Sequence, residues 1–391
     1  MPARLTPHKT RQALHKACQD VREATPEEGV LGVIPAYVAA PATVAEAAAV
    51  LAVAADHGLT VVPRGGETRL DWGLPPASCD LLLDTVRLDR VIEHAAGDLI
   101  VKVQAGLPMD RLASVLAEAG QQLALDTPLP GSTVGGTLAT AASGPRRLRY
   151  GSPRDLLIGV TIVRADGTVA KAGGKVVKNV AGYDLGKLLT GSYGTLGLIV
   201  EAAFRLHPLP PAQAYLTREA SPGELTGLVR ALRHSAAVPT AIEVDSAPEG
   251  PLTVAVLVEG VPEGIEHRAT QLAGLLGPDS KLTEDPPDWW GAYPDGTTLI
   301  ETSHPAPAGM RARWSADGRA FVGLTDGPQE VAAALGELRQ AGWAVVRYAP
   351  QQVREAVDMW GPIPALGLMR RVKDQFDPGH RLSPGRFAGG I

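Results

Sequence analysis

Three glycine-rich segments in the first half of this 391-residue chain have residue types that could hold a phosphorylated ligand. The first is Pro63-Arg64-Gly65-Gly66-Glu67-Thr68-Arg69. Consecutive glycines let successive backbone N–H groups point into one concavity, which binds phosphate oxygens. Arg64 and Arg69 add positive charge. An ordinary strand-to-loop turn would read the same way. The second is Gly131-Ser132-Thr133-Val134-Gly135-Gly136-Thr137-Leu138-Ala139-Thr140, almost all small residues and hydroxyls. Such a run packs a core poorly and suits a backbone pressed against a flat polar ligand. It continues through Ser143 and Gly144 to Arg146, Arg147, Arg149 and Tyr150, where a solvated charged loop is the plainer reading. The third runs from Gly191 through Gly194 and Gly197 to Ile199. A strand starting there could offer backbone groups to a purine edge, or the glycines could simply make a tight helix-to-strand turn.

None of these segments is the GxGxxG dinucleotide fingerprint, and the sequence has no GxxxxGK[ST] phosphate loop. Metal chemistry is not expected. The two cysteines, Cys18 and Cys79, are far apart, and His234, His267 and His304 lack metal-ligand spacing. With so few cysteines a cytoplasmic location is the default. The basic N-terminus has no apolar stretch of signal-peptide type. The uncharged stretches 29–45 and 127–145 are broken by Pro, Gly or Thr, so no transmembrane segment is expected. A net charge of −5 disfavours nucleic acid as a partner. Glycine (44) and proline (33) are abundant, which implies many turns and close backbone approaches. Asn179 is the chain's single asparagine.

The elements that must position these segments alternate. Residues 11–22 read as an amphipathic helix. Residues 42–57 read as an alanine-rich helix, with Thr43 as N-cap and Gly58 past its end. Strands are expected at 59–63, 81–84, 99–104, 156–164 and 196–206, and a helix at 108–119. Ala165-Asp166-Gly167 between apolar runs signals a hairpin. Prolines 208, 210 and 211 mark a boundary. Beyond it, two halves with βαβ-like order suggest an antiparallel sheet with helices on one side. Residues 369–376 read as a last helix before a Pro/Gly-rich tail.

The segments PRGGETRL (63–70), VQAGLPMDRL (103–112), GSTVGGTLATAASGPRRLRYGSPRDLLIGVTIVRADGT (131–168), KNVAGYDLGKLLTGSYGTLGLIVEAAFRL (178–206) and, distantly, FDPGHRLSPGRF (376–387) stand in the order of a known family. The chain resembles the FAD-binding PCMH / vanillyl-alcohol oxidase superfamily. Within it the chain is most similar to the FAD-binding E subunit of glycolate oxidase. The fold implied is α+β: a two-lobed PCMH-type FAD-binding domain plus a small ferredoxin-like cap domain. The expected division is an N-terminal extension (1–27), the FAD-binding domain (28–210), the cap (211–365) and a C-terminal tail returning to the flavin domain (366–391).

The resemblance implies that Gly65–Arg69 (Gly65, Gly66, Glu67, Thr68, Arg69) lie on the FAD diphosphate. Thr127, Ser132, Thr133, Gly135 and Gly136, within the segment opened by Gly131, would line the diphosphate-to-ring region. Thr140, Gly144 and Tyr150 would border the flavin. Ile199, after Gly197, would present backbone to the adenine. Covalent members often carry a histidine in the first loop; Glu67 stands there, so FAD is expected to be non-covalent. Catalytic 2-hydroxy-acid dehydrogenases of the family usually carry an HxGDGNxH-like segment in the cap, which is absent here. The tail reads Ser383-Pro384-Gly385-Arg386 where NPGK is usual. Catalytic residues are therefore not assigned. Lys178 or Tyr183, in the cluster Lys175, Lys178, Asn179, Tyr183 and Asp184, could face the flavin, or the cluster could be a turn and a helix start.

The resemblance implies a subunit that oxidises glycolate beside a catalytic flavoprotein subunit and an iron–sulfur subunit, with peripheral membrane association through those partners. A scaffold subunit with a silent flavin site, or a stand-alone FAD-dependent 2-hydroxy-acid dehydrogenase, is the alternative.

Overall fold

The structure is a computed structural model and describes residues 7–174, 184–307 and 309–391. Thr43 caps helix Val44–His57 by accepting from the Glu46 amide, and Gly58 ends it at φ 65°. Only a residue without a Cβ adopts that conformation freely. The helix buries Ala47, Val50, Leu51 and Ala54 in one cluster with Val61, Leu81 and Leu83. Those strand residues belong to the first lobe's sheet, ordered Val21–Glu23, Tyr37–Ala39, Leu81–Asp84, Val61–Arg64. The last three strands are parallel.

Residues 7–23 are built into this lobe. Helix Pro7–Ala17 buries Leu14, Cys18 follows it into the same cluster, and Val21–Glu23 adds the edge strand. The sequence reading ran one helix through 11–22 because a three-residue edge strand carries too few residues to show a period.

The second lobe is a five-stranded antiparallel sheet in the order Val91–Ala95, Ile100–Gln104, Leu198–Arg205, Leu157–Val163, Val169–Gly173. The Asp-Gly hairpin forms as expected, with Asp166 Oδ1 accepting from the Thr168 amide at 2.9 Å.

The cap is an eight-stranded antiparallel sheet with a doubled plan. Strands Ala212–Ala220, Ala241–Ser246, Leu252–Gly260 and Lys281–Thr283, with helices Pro222–Arg233 and Pro262–Leu276, take the ferredoxin-like strand order. Strands Thr298–Thr302, Ala312–Ser315, Ala320–Leu324 and Ala344–Tyr348 repeat that order with the single helix Pro328–Ala341. The two halves join edge to edge, Val244 opposite Trp314. The two halves and the antiparallel sheet agree with the sequence reading of residues 213–360.

Alternation along each strand sorts the two cap faces. Ile242, Val244, Val254, Val256 and Val258 pack under the helices. Glu243, Asp245, Glu259, Glu301 and Arg313 alternate with the helix-facing positions and are buried or nearly so. That charged face meets the flavin lobes: Tyr150 donates to Glu259 at 2.8 Å, and Arg319 donates to the Ser143 hydroxyl at 2.8 Å.

Helix Leu366–Phe376 then leads the tail back. Val61 donates to the Arg381 carbonyl and Ser383 to the Val61 carbonyl, each at 2.8 Å.

Candidate functional site

The three glycine-rich segments meet in one cleft between the lobes, closed at one end by the tail. Residues 63–70, Thr133, Gly135, Gly136, Thr140, Gly194, Gly197 and Ile199 line it, with Thr85, Tyr193 and Arg386. It holds about 780 Å³ of empty space, counting the part open to solvent.

The first loop's glycines answer first to a neighbouring loop. A Cβ on Gly66 would sit 2.0 Å from the Gly131 carbonyl oxygen, and one on Gly65 would sit 2.5 Å from Thr133 Oγ1. Gly66→Ala is therefore expected to cost about 1–3 kcal/mol, as overpacking does, and an unchanged urea midpoint would contradict it. Released from side-chain bulk, the loop keeps its amides available. Among the described residues, the amides of Gly65, Gly66, Glu67 and Thr68 donate to no protein acceptor.

The two arginines of this loop have different surroundings. Arg64 is enclosed by carboxylates: Asp84 at 2.7 Å, Glu67 at 3.0 Å and Glu28 at 3.1 Å. Burial lowers its pKa, but Asp84, Glu28 and Glu67 outweigh burial and raise it. Its charge is spent inside the protein, which corrects the expectation that it adds positive charge to the cleft. Arg69 is buried against Trp72 and gives one nitrogen to Ser132 Oγ at 3.0 Å. Its Nε and Nη2 have no partner among the described residues. Arg386, from the tail, donates to the Leu70 and Trp72 carbonyls at 2.6 and 2.7 Å, and its Nε is also unpartnered. Burial pulls the Arg386 guanidinium down to about 10. Buried, unpartnered guanidinium nitrogens at a cleft wall suit an anion.

At the far end, strand Leu198–Arg205 pairs with Leu157–Val163 from Leu198 onward, but with Ile100–Gln104 only from Glu201. The other edge of Leu198–Ile199 therefore borders the cleft with no strand beside it among the described residues, and a register shift falls between Ile199 and Glu201.

Five of the expected site residues lie elsewhere. Thr127, Gly131 and Ser132 line a separate groove behind the loop, although the Ser132 hydroxyl holds Arg69. Gly144 lines a cavity between flavin lobe and cap. Tyr150 is tied to Glu259 and stacks edge-on against His207 at 4.7 Å, so it joins the two domains; burial pushes its phenol up to about 12. Thr140 is in the cleft, with its hydroxyl turned back onto the Gly136 carbonyl. Lys175, Lys178, Asn179 and Tyr183 lie outside the described residues. Among the described residues no His/Cys/Asp/Glu cluster could hold a metal, and no helix is long and apolar enough to cross a membrane.

The sequence reading missed Thr85, Tyr193, Arg386 and the inter-domain cavity. The SPGR tail motif pointed to the right segment for Arg386, but only the return of the tail places it at the cleft. The cavity holds about 390 Å³ of empty space and is lined by Ser143, Gly144, Glu243, Tyr293, Arg313 and Arg319, among others.

Residues 35–173 match the family "FAD binding domain". D-2-hydroxyglutarate dehydrogenase of Xanthomonas citri pv. viticola is 38% identical over 46% of this chain and 39% of its own length. The glycolate oxidase subunit GlcE of Escherichia coli is 38% identical over 41% of this chain and 46% of its own length. The matches thus span less than half of either relative. The structure of p-cresol methylhydroxylase with substrate bound superposes with TM-score 0.74, covering 99% of this chain and 98% of that one at 15% identity. Residues 35–173 thus carry an FAD-binding domain, and the likeness to p-cresol methylhydroxylase, at 15% identity, is one of fold. The cofactor of this chain is FAD.

Proposed function

We propose that this chain is an FAD-binding subunit of a glycolate oxidase-type complex, oxidising a small 2-hydroxy acid to the 2-oxo acid. The observation that carries the reading is the cleft in which three glycine segments, free loop amides and the unpartnered nitrogens of Arg69 and Arg386 converge. These fit an extended dinucleotide with a diphosphate at its centre. The amides of Gly65, Gly66, Glu67 and Thr68 and the guanidinium of Arg69 take the diphosphate. Thr133, Gly135, Gly136, Thr140 and Arg386 line the path toward the cap, and the Leu198–Ile199 edge takes the adenine. Ser132 positions Arg69 from behind. Glu67 stands in the loop without a histidine, so attachment is non-covalent. When bound, FAD supplies the two-electron acceptor for the hydride of the α-carbon.

Cys18 and Cys79 are both buried and unpaired, and no iron–sulfur ligand set exists in this sequence. Electrons would pass to a partner flavoprotein and an iron–sulfur subunit, and any contact with a membrane would come through them. The purified chain is expected to be yellow, or to become so on addition of FAD, with flavin absorbance in the visible. A colourless chain that takes up no FAD would overturn the reading. Glycolate turnover by the chain alone with an artificial acceptor would overturn the dependence on partners.

A further inference from the structure

We propose that Glu243 is the group that takes the hydroxyl proton of the substrate, in the cavity where the cap meets the flavin lobe. The inference rests on the function proposed above and assigns the base that the sequence does not show.

Glu243 is the odd carboxylate on the cap's inner face. Its neighbours there are each held by a protein group: Asp245 by Arg313 at 2.7 Å, Glu301 by Arg347 at 2.6 Å, Asp317 by Arg147 at 2.9 Å, and Glu259 by Tyr150 at 2.8 Å. Glu243 Oε1 is buried and has no hydrogen-bond partner among the described residues. A buried polar atom left unpaired is costly, so it stands where something else serves it. It lines the cavity together with Arg319, whose Nε is likewise unpartnered and so available to a substrate carboxylate. The cavity adjoins the cofactor cleft: helix Val134–Thr140 walls the cleft, and Ser143 and Gly144, just beyond it, wall the cavity.

No cap histidine competes for the role. His304 is bonded to the carbonyls of Pro305 and Leu338, on the helix side of the sheet, His267 is exposed and bonded to Gln271, and His234 is exposed at the end of helix Pro222–Arg233. Burial pushes the Glu243 carboxyl up to about 8; the Ser315 hydroxyl beside it lowers it, Asp317 and Asp126 raise it further, and Arg319 opposes them. Arg313 on the adjacent strand, Tyr293 in the cavity wall, Arg147 paired with Asp317 and Glu301 paired with Arg319 complete the titratable and charged groups around it.

The step balances with FAD as oxidant. The substrate O–H bond breaks and its proton goes to Glu243. The α-C–H bond breaks, and its hydrogen leaves as hydride to FAD, which gains two electrons while the substrate carbon becomes a carbonyl.

The test uses the flavin-loaded chain as wild type and as Glu243→Gln, with glycolate and D-lactate as probes. A base works only when ionised. The wild-type rate of flavin reduction should therefore rise about tenfold per pH unit below the pKa and level off above it. In Glu243→Gln the rate should fall about 100-fold and that slope should vanish, with flavin content and melting temperature kept. A variant that retains the wild-type rate and slope overturns the assignment. A second measurement needs no turnover: the visible spectrum of the bound flavin, titrated from pH 6 to 10 without substrate. The wild type should shift with a midpoint near 8 and the variant should not, given the pKa of about 8. Identical titrations overturn the placement of Glu243. A flavin that titrates in this way but that neither acid reduces overturns the 2-hydroxy-acid reading and leaves Glu243 as the ionising group of the cavity.

Discussion

Arg69→Met is expected to raise the Kd for FAD by about 10–100-fold, the range of one lost charge-assisted hydrogen bond. Arg69 is 7% exposed, and its Nε and Nη2 have no hydrogen-bond partner among the described residues. Methionine keeps the apolar stem against Trp72, so the packing survives and the charge goes. The measurement is quenching of flavin fluorescence as apoprotein is titrated into FAD. A second readout is the fold itself, which the substitution should leave intact because, among the described residues, Arg69 gives one hydrogen bond shorter than 3.5 Å, to Ser132. An unchanged Kd would mean that the diphosphate lies elsewhere. Arg64→Met should behave in the opposite way. Removing it strands the Asp84 carboxylate, while Glu28 keeps Arg22, so stability should suffer before flavin binding does.

The larger effect on stability is expected from Lys373→Met. The Lys373 ammonium is fully buried and donates to Asp377 at 2.7 Å and to the Thr195 and Leu382 carbonyls at 2.8 Å. Asp377 also accepts from the Leu382 amide at 2.7 Å. This one ammonium ties the last helix, the tail and the third glycine segment together. Its loss leaves Asp377 as an uncompensated buried charge, at a cost of about 3–5 kcal/mol. The tail also carries Arg386, so flavin should be lost together with stability. Urea unfolding and the flavin content of the purified variant check both parts. A variant as stable as the wild type would show that the tail is held by its apolar contacts alone. Restoring neutrality with Lys373→Met/Asp377→Leu should recover part of the stability, because removing a whole buried pair costs less than breaking one.

Much of the site was legible because its signals are local. Glycine pairs, a hydroxyl-rich run and a strand opening on Gly197 each show in a window of about ten residues. The helix Val44–His57 was legible down to its caps, since Thr43 and Gly58 act within one turn of the ends they close. Strand Val91–Ala95 was not, because all five of its residues are exposed or half-buried and no apolar alternation marks them. Strand Ala212–Ala220 was hidden by the prolines before it. Tyr150 misled in the other direction: it follows a glycine-rich segment in sequence, but the chain turns through Arg147–Tyr150 and delivers it to the cap.

The sequence by itself determined the FAD-binding domain and the glycine-rich backbone that lines the cleft, because steric permission for close approach resides in individual glycines. Tertiary structure alone decided which charges remain available there. Arg64 and Arg69 are five residues apart and chemically alike. One is neutralised by Glu28 and Asp84, from other segments, and the other has two nitrogens without a partner among the described residues. Arg386 and Glu243 reach their places only through the returning tail and the docked sheet. A charge's role depends on what lies within a few ångströms of it, and those neighbours are set by the fold rather than by position along the chain.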